Sequence, residues 1–434
     1  MELMPLLICL NPYLNNNTLR QLNCIIEGML SMTGRVTMLG ISRWTEKGGS
    51  YRTIQRFFNT SISWCKVNWL ILQHVISDKG EYLLAGDETT VTKSGKKTYG
   101  IDRFFSSIFN KPVRGLSFFS LSLISVEDQT SYLILMEQVQ KGEKKKNKQR
   151  SKKKGKEKGK PGRPKGSKNK SKKDVELSPF LLWVQLLIKS VLQLVASRIT
   201  IDYFVYDGAF GNNNALQTVR QCGLHLISKL RFDSSLQFPY TGAYSRHGPH
   251  RKYGDKLDCS NIPQEFEVSR EIEKGILTVI YQMHLWHKES ADMLNIAVIV
   301  KTNLKTGRSS HVILFCSDLN SDSEKIISYY RLRFQIEFNF RDAKQHWGLE
   351  DFMNVNELPV YNGANLSMFM VNFSKISLQK QFAEISCAND LKTWFRGCKY
   401  VQKVLKLLPE KADQGFIDEL NNQLSTLGFI HAIA

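Results

Sequence analysis

The sequence contains no C-x-x-C pair, and its eight cysteines (9, 24, 65, 222, 259, 316, 387 and 398) are scattered. That removes the spacing a zinc site or a disulfide framework requires, and reduced thiols in a cytoplasm are the expectation. One close histidine pair, His247 and His250, stands in a Gly/Pro-containing stretch without a third ligand nearby, so no metal is expected there. Long clean apolar runs are also missing. The longest, Leu177 to Ala196, is broken by Gln185, Lys189 and Gln193 and reads as a buried or amphipathic helix, not a bilayer span. Met1 to Leu10 is apolar but has neither a basic n-region nor a small-residue cleavage site, so a soluble, unexported protein is expected. Acids are in the minority, 40 against 60 Lys plus Arg over 434 residues, for a formal net charge of +20.

What is present begins with the distribution of that charge. Lys141 to Lys173 holds 18 Lys/Arg and 2 Glu, leaving 42 basic and 38 acidic residues elsewhere. A nearly neutral body therefore carries one very basic segment, low in complexity and with almost no apolar residues, which reads as a disordered loop over 141–175. Dense lysine beside duplex DNA gives counterion release and strong salt dependence without sequence choice. Within the tract, Pro161-Gly-Arg163-Pro-Lys165-Gly-Ser resembles the core of an AT-hook, which would place Arg163 and Lys165 in a narrow minor groove. With 42% hydrophobic residues, the remainder can bury a sizeable core.

Residues 1–78 read as helical: Leu19, Leu22, Ile25, Ile26, Met29 and Leu30 recur at helix spacing, and Ser50 is a suitable N-cap for Tyr51 to Phe58. Short helices with Gly-containing turns and Arg35, Arg43, Arg52 and Arg56 suit a helix-turn-helix-like DNA-binding region, or equally a helical cap on the next domain. From residue 79 the period changes. Glu81 to Ala85 is a short apolar run closing on Gly86-Asp87; Gly115 to Val126 and Ser131 to Val139 are β-rich; a helix covers Ser178 to Ala196; Ile199 to Tyr206 closes on Asp207-Gly208. That order predicts an α/β domain over 79–231 with its site at strand carboxyl ends. Residues 232–318 alternate like an antiparallel β insertion, 319–350 form a long helix ending near Gly348, and 351–434 are again helical.

Tyr330, Arg333, Glu337 and Lys344 stand at offsets 0, 3, 7 and 14. At about 100° per residue a continuous helix would gather them within an arc of roughly 60°. One face would then present an aromatic hydroxyl, two cations and a carboxylate; i,i+4 pairing of Arg333 with Glu337 on a solvated face is the plainer account. Asp87 and Asp207, each read as following a strand, could join Glu337 on two divalent cations roughly 3.5–4 Å apart, although each also suits a turn. Oxygen ligands without Cys or His point to Mg²⁺ or Mn²⁺.

Tyr330-x2-Arg333-x3-Glu337-x6-Lys344 resembles, spacing for spacing, the Y-R-E-K signature of a group of bacterial insertion-sequence DDE transposases. Gly86-Asp87 to Lys93 with Gly95-Lys96-Lys97, and Val205-Tyr-Asp207-Gly-Ala-Phe210, resemble that group's two aspartate motifs. The resemblance covers about residues 80–370. It implies a ribonuclease-H-like core with an inserted antiparallel β domain, and two Mg²⁺ or Mn²⁺ ions on Asp87, Asp207 and Glu337. It also implies Arg333 and Lys344 on DNA phosphates, Tyr330 beside the cleavage point, and a dimer on double-stranded DNA. Lys93, Lys96 and Lys97, in a loop read as close to Asp87, are further DNA-contact candidates. A catalytically inactive DNA-binding descendant, and a ribonuclease-H-like nuclease, are the other readings.

Overall fold

The computed structural model describes residues 3–45, 48–106, 109–141, 171–244, 248–407 and 413–425. Most of the basic tract, with Arg163 and Lys165, lies outside the described residues. The chain is a mixed α/β protein whose strands are mostly antiparallel, and it divides into two compact units: Met1–Val139, Val191–Thr200 and Phe334–Ala434 form unit one; Gln140–Ser190 and Ile201–Arg333 form unit two. Among the described residues no helix is long and apolar enough to cross a membrane.

Unit one opens with α1 (Met4–Leu7), α2 (Asn16–Ser31), α3 (Met38–Trp44), α4 (Tyr51–Phe58) and α5 (Trp64–Leu72). α2 starts where the Asn15 side chain accepts the Thr18 N–H at 2.9 Å, and its periodic Leu19, Leu22, Ile25, Ile26, Met29 and Leu30 are all buried. Four strands follow: β1 (Tyr82–Thr92), β2 (Asp102–Ser106), β3 (Lys111–Ser125) and β4 (Thr130–Val139). β3 pairs antiparallel with each of the other three.

β4 pairs with β3 alone among these strands. Its remaining backbone groups are taken up by side chains of α5 and of α10 (Glu357–Lys380). Asn372 accepts the Leu133 N–H at 3.0 Å and donates to the Leu133 carbonyl at 2.8 Å. Lys375 donates to Ser131 O (2.9 Å), Asn365 to Met136 O (3.3 Å) and Asn68 to Ile134 O (3.4 Å). Side chains of α10 thus serve part of this edge, which explains the burial of Asn365 and Asn372; the third buried asparagine of α10, Asn362, instead donates to Phe58 O and Thr60 O. Burial pushes the Lys375 ammonium down to about 8.

Past α6 (Pro179–Val195), unit two holds β5 (Tyr203–Val205), α7 (Asn213–Arg220), β6 (His225–Lys229), β7 (Leu236–Pro239), β8 (Tyr253–Lys256), β9 (Glu267–Glu273), β10 (Ile276–His287), β11 (Met293–Asn303), β12 (Ser309–Cys316) and α8 (Ser323–Leu332). β5 and β6 run parallel, so their carboxyl ends lie at the same edge. β6 pairs with β12, which continues antiparallel through β11 and β10, so the strands of 232–318 extend the sheet that contains β5 and β6.

The chain re-enters unit one with α9 (Gln335–His346), and α11 (Ala388–Leu405) and α12 (Gln414–Leu424) follow α10. Gly348 stops α9: it takes φ +77°, Leu349 N–H reaches back to Ala343 O at 3.0 Å, and an added Cβ would meet Val36 Cβ at 2.3 Å.

Candidate active site

Asp87 does not follow a strand, as its sequence context suggests; it lies inside β1, paired with Ser120 of β3. Gly86 reads as a stop, but the β-branched Thr89, Thr90, Val91 and Thr92 carry the strand on. Asp87 is half-buried and its Oδ1 accepts the Glu88 N–H at 2.8 Å. Directly across from it, Ser120 is fully buried and its hydroxyl has no hydrogen-bond partner among the described residues. Residues directly opposed in an antiparallel pair project to the same face, so the Ser120 side chain shares the face of the sheet that carries Asp87.

Glu337 lies in the first turn of α9, half-buried. α9 packs on β1, and Lys344 Nζ donates to Thr90 O at 3.2 Å while facing the Glu350 carboxylate at 3.6 Å. The single helix inferred over 319–350 is instead two. α8 ends at Leu332 and α9 starts at Gln335, with Glu337 N–H bonded to Phe334 O in a tighter i,i+3 turn. Neither proline nor glycine marks the slip. Tyr330 and Arg333 belong to unit two, Glu337 and Lys344 to unit one. Arg333 stacks over the Tyr330 ring, with 5.8 Å from Cζ to the ring centre.

In unit two, Asp207 follows β5 and caps a short 3-10 turn, Gly208–Phe210. Its Oδ1 accepts the Ala209 N–H at 2.9 Å and its carbonyl accepts the Ser228 hydroxyl at 2.6 Å, which fixes the carboxylate's direction. Asp207 opens on a cleft of about 590 Å³ whose other walls include Lys229, Arg231, Phe232, His311 and Tyr330. His311 bonds the Phe232 carbonyl at 3.1 Å, while the Phe232 ring is 75% exposed. Sequence reasoning missed Lys229, Arg231, Phe232 and His311. The signal was available for three of them: two cations and an aromatic at the end of β6, the strand parallel to the one that delivers Asp207.

The basic loop after β1 divides. Lys96 and Lys97 are exposed. Lys93 donates to Glu350 O (2.9 Å) and Phe352 O (2.8 Å) and lies 3.7 Å from the Phe352 ring centre, and burial pushes it down to about 8. The loop is also not close to Asp87: six residues of strand at about 3.3 Å each put Lys93 roughly 20 Å along.

The donor chemistry of Asp87, Asp207 and Glu337, all carboxylate oxygens, fits a hard divalent cation such as Mg²⁺ or Mn²⁺. Among the described residues no three His, Cys, Asp or Glu side chains gather in a ready-made cage. Asp87 and Glu337 are carried by unit one and Asp207 by unit two.

A mixed α/β body with half-buried carboxylates, one of them in a cleft whose walls also carry Lys229, Arg231, Asp233 and the Phe232 ring, is suited to work on phosphodiesters. The chain belongs to the DDE superfamily endonuclease family, whose model it matches over residues 9–278, more than half of its length. Membership makes it a metal-dependent enzyme of nuclease or transposase type with DNA as substrate. The matched span includes Asp87 and Asp207 and ends before Tyr330, Arg333, Glu337 and Lys344. No curated protein matches the chain.

Proposed function

We propose that this chain is the DNA transposase of an insertion sequence in the Y-R-E-K group, with a ribonuclease-H-like core into which residues 232–318 are inserted as a β-rich domain. The observation that carries the reading is the Tyr330-Arg333-Glu337-Lys344 spacing downstream of two aspartates that lie in the family's matched span. Asp87, Asp207 and Glu337 would hold Mg²⁺ or Mn²⁺, two ions per site, which when bound supply Lewis acidity for in-line phosphoryl transfer. Arg333 and Lys344 would neutralise the phosphates flanking the scissile bond, and Tyr330 with Lys229 and Arg231 would line the path of the DNA end. Water adds to phosphorus and the 3′-oxygen leaves with a proton; that freed 3′-hydroxyl then attacks a target phosphodiester, displacing the target strand's own 3′-oxygen, which leaves with the proton the attacking hydroxyl gives up. The protein would act as a homodimer on paired inverted repeats, at the nucleoid in the cytoplasm.

The test is nicking of duplexes carrying the DNA that flanks the coding sequence, with and without Mg²⁺. Wild type should nick at the element end and join the 3′-hydroxyl to a plasmid, whereas Asp87→Ala, Asp207→Ala and Glu337→Ala should bind the duplex and leave it intact. Undiminished nicking by purified Glu337→Ala would sink the assignment. Binding without nicking by wild type under every divalent cation would favour a non-catalytic descendant.

A further inference from the structure

α9 carries Glu337 and packs on β1, β4 and α10, all within unit one. Between α9, β4 and α10 lies a closed polar cluster. Asn339 of α9 and Ser131 of β4 are fully buried. Asn339 Nδ2 donates to Ser131 Oγ at 3.0 Å, and Asn339 Oδ1 accepts from Lys375 Nζ of α10 at 2.6 Å. Lys375 also donates to Ser131 O at 2.9 Å, so three residues from three elements close a ring of hydrogen bonds. A second lysine, Lys392 of α11, is buried and donates to His346 O, at the end of α9, at 2.9 Å.

Lysine and asparagine are costly to bury, and apolar residues of similar size would fill the same space without that cost. Apolar cores of the right volume keep stability but lose uniqueness of arrangement, whereas a satisfied polar network admits one geometry. Asn339 stands two residues after Glu337, about 200° around the helix. A pin on the Asn339 side therefore sets the direction of Glu337 on the other. With side chains reaching about 5–6 Å from the helix axis, a rotation of roughly 15° moves the Glu337 carboxylate about 1.5 Å sideways. A misplacement of about 1 Å can slow a reaction about a hundredfold. Chain continuity alone does not supply the pin, because the tighter turn from Glu337 N–H to Phe334 O interrupts the regular ladder just before Glu337.

We infer that Asn339 and Lys375 are positioning residues: bonded to each other and to Ser131, they fix the rotation of α9 and so aim the Glu337 carboxylate, while Lys392 holds the helix end. The inference rests on the proposed function for the role of Glu337 as a ligand of a divalent cation, and adds what directs that ligand. It is tested on the full chain with Asn339→Leu, Lys375→Met and the isosteric Asn339→Asp, which keeps one oxygen for Lys375 and another for the Ser131 hydroxyl. Melting temperature shows that each variant folds. Mn²⁺ affinity is read by isothermal titration without DNA, and nicking of an element-end duplex gives kcat and KM. Asn339→Leu and Lys375→Met should each weaken Mn²⁺ binding and lower kcat about tenfold or more, with KM for the duplex unchanged. Asn339→Asp should restore both, which a change that merely loosens the core would not do. Folded Asn339→Leu and Lys375→Met proteins with wild-type Mn²⁺ affinity and kcat would overturn the inference, as would an Asn339→Asp protein that loses as much as Asn339→Leu. Glu337→Ala separates this from the proposed function. If it binds Mn²⁺ and nicks like wild type, the ligand assignment itself falls; an inactive Glu337→Ala beside a fully active Asn339→Leu removes only the positioning role.

Discussion

Lys344 on α9 donates to the carbonyl of Thr90 on β1 at 3.2 Å, a side-chain tie between the helix of Glu337 and the strand of Asp87. A hydrogen bond from a charged donor contributes about 1.5–3 kcal/mol when well buried, and Lys344 keeps 22% of its side chain exposed. Lys344→Ala should therefore lower unfolding free energy by about 1 kcal/mol. Metal-dependent nicking should fall at least tenfold at a temperature where the variant stays folded. Parallel urea melts and nicking rates decide it, and full activity would remove Lys344 from the site.

Phe232 and Arg231 make the opposite forecast. The Phe232 ring is 75% exposed on the wall of the Asp207 cleft, so Phe232→Ala should move stability by no more than about 0.5 kcal/mol. Both Phe232→Ala and Arg231→Ala should still cut end nicking about tenfold or more. Wild-type nicking by both would show that the cleft does not receive DNA.

Removing residues 143–173 takes away most of the chain's excess positive charge. Duplex affinity should drop and its logarithmic dependence on salt should become shallower, roughly in proportion to the phosphates no longer neutralised. Nicking of short ends should stay detectable. A folded deletion variant with no chemistry at all would give the tract a role in the reaction.

Asn372 serves both backbone groups of Leu133. Asn372→Leu would leave a buried N–H and a buried carbonyl unpaired, at roughly 1–3 kcal/mol each. A fall of about 3 kcal/mol in urea unfolding is expected, with loss of exchange protection at the Leu133 amide. Unchanged protection would mean that the edge is held by something else.

Lys375 gives a pH signature. Its ammonium sits at about 8 in the fold against 10.5 ordinarily. Between those values the unfolded chain binds a proton that the folded chain has released, so this group adds stability as pH rises through the window and contributes nothing further below it. Lys375→Met lacks the group. The difference in unfolding free energy, wild type minus variant, should grow between pH 8 and 9.5. A flat or falling difference would refute the assigned burial.

Sequence carried much of this molecule, and its failures have physical causes. α2 was legible because six apolar residues repeat at 3.6, and Gly348 because a left-handed stop needs glycine. β1 was cut short because Gly86-Asp87 has turn chemistry, which pairing with β3 overrides. The slip between α8 and α9 has no proline or glycine to announce it. Lys93 reads as a free cation because its partners Glu350 and Phe352 are more than 250 residues away in sequence. The surroundings of Asp207 were half legible: its place after a strand reads from Val205-Tyr-Asp207-Gly, whereas Lys229 and Arg231 come beside it only through the parallel pairing of β5 and β6.

The asparagines along β4 have one more consequence. An open strand edge is a template on which a second chain can add itself, in a dimer or in an aggregate. Here the side chains of Asn365 and Asn372 take up carbonyls that an incoming strand would need. Sheet-to-sheet extension is closed at that border. Two copies brought together on DNA would have to join through other surfaces, and crowding many copies at one locus would not zip them into fibrils along this strand.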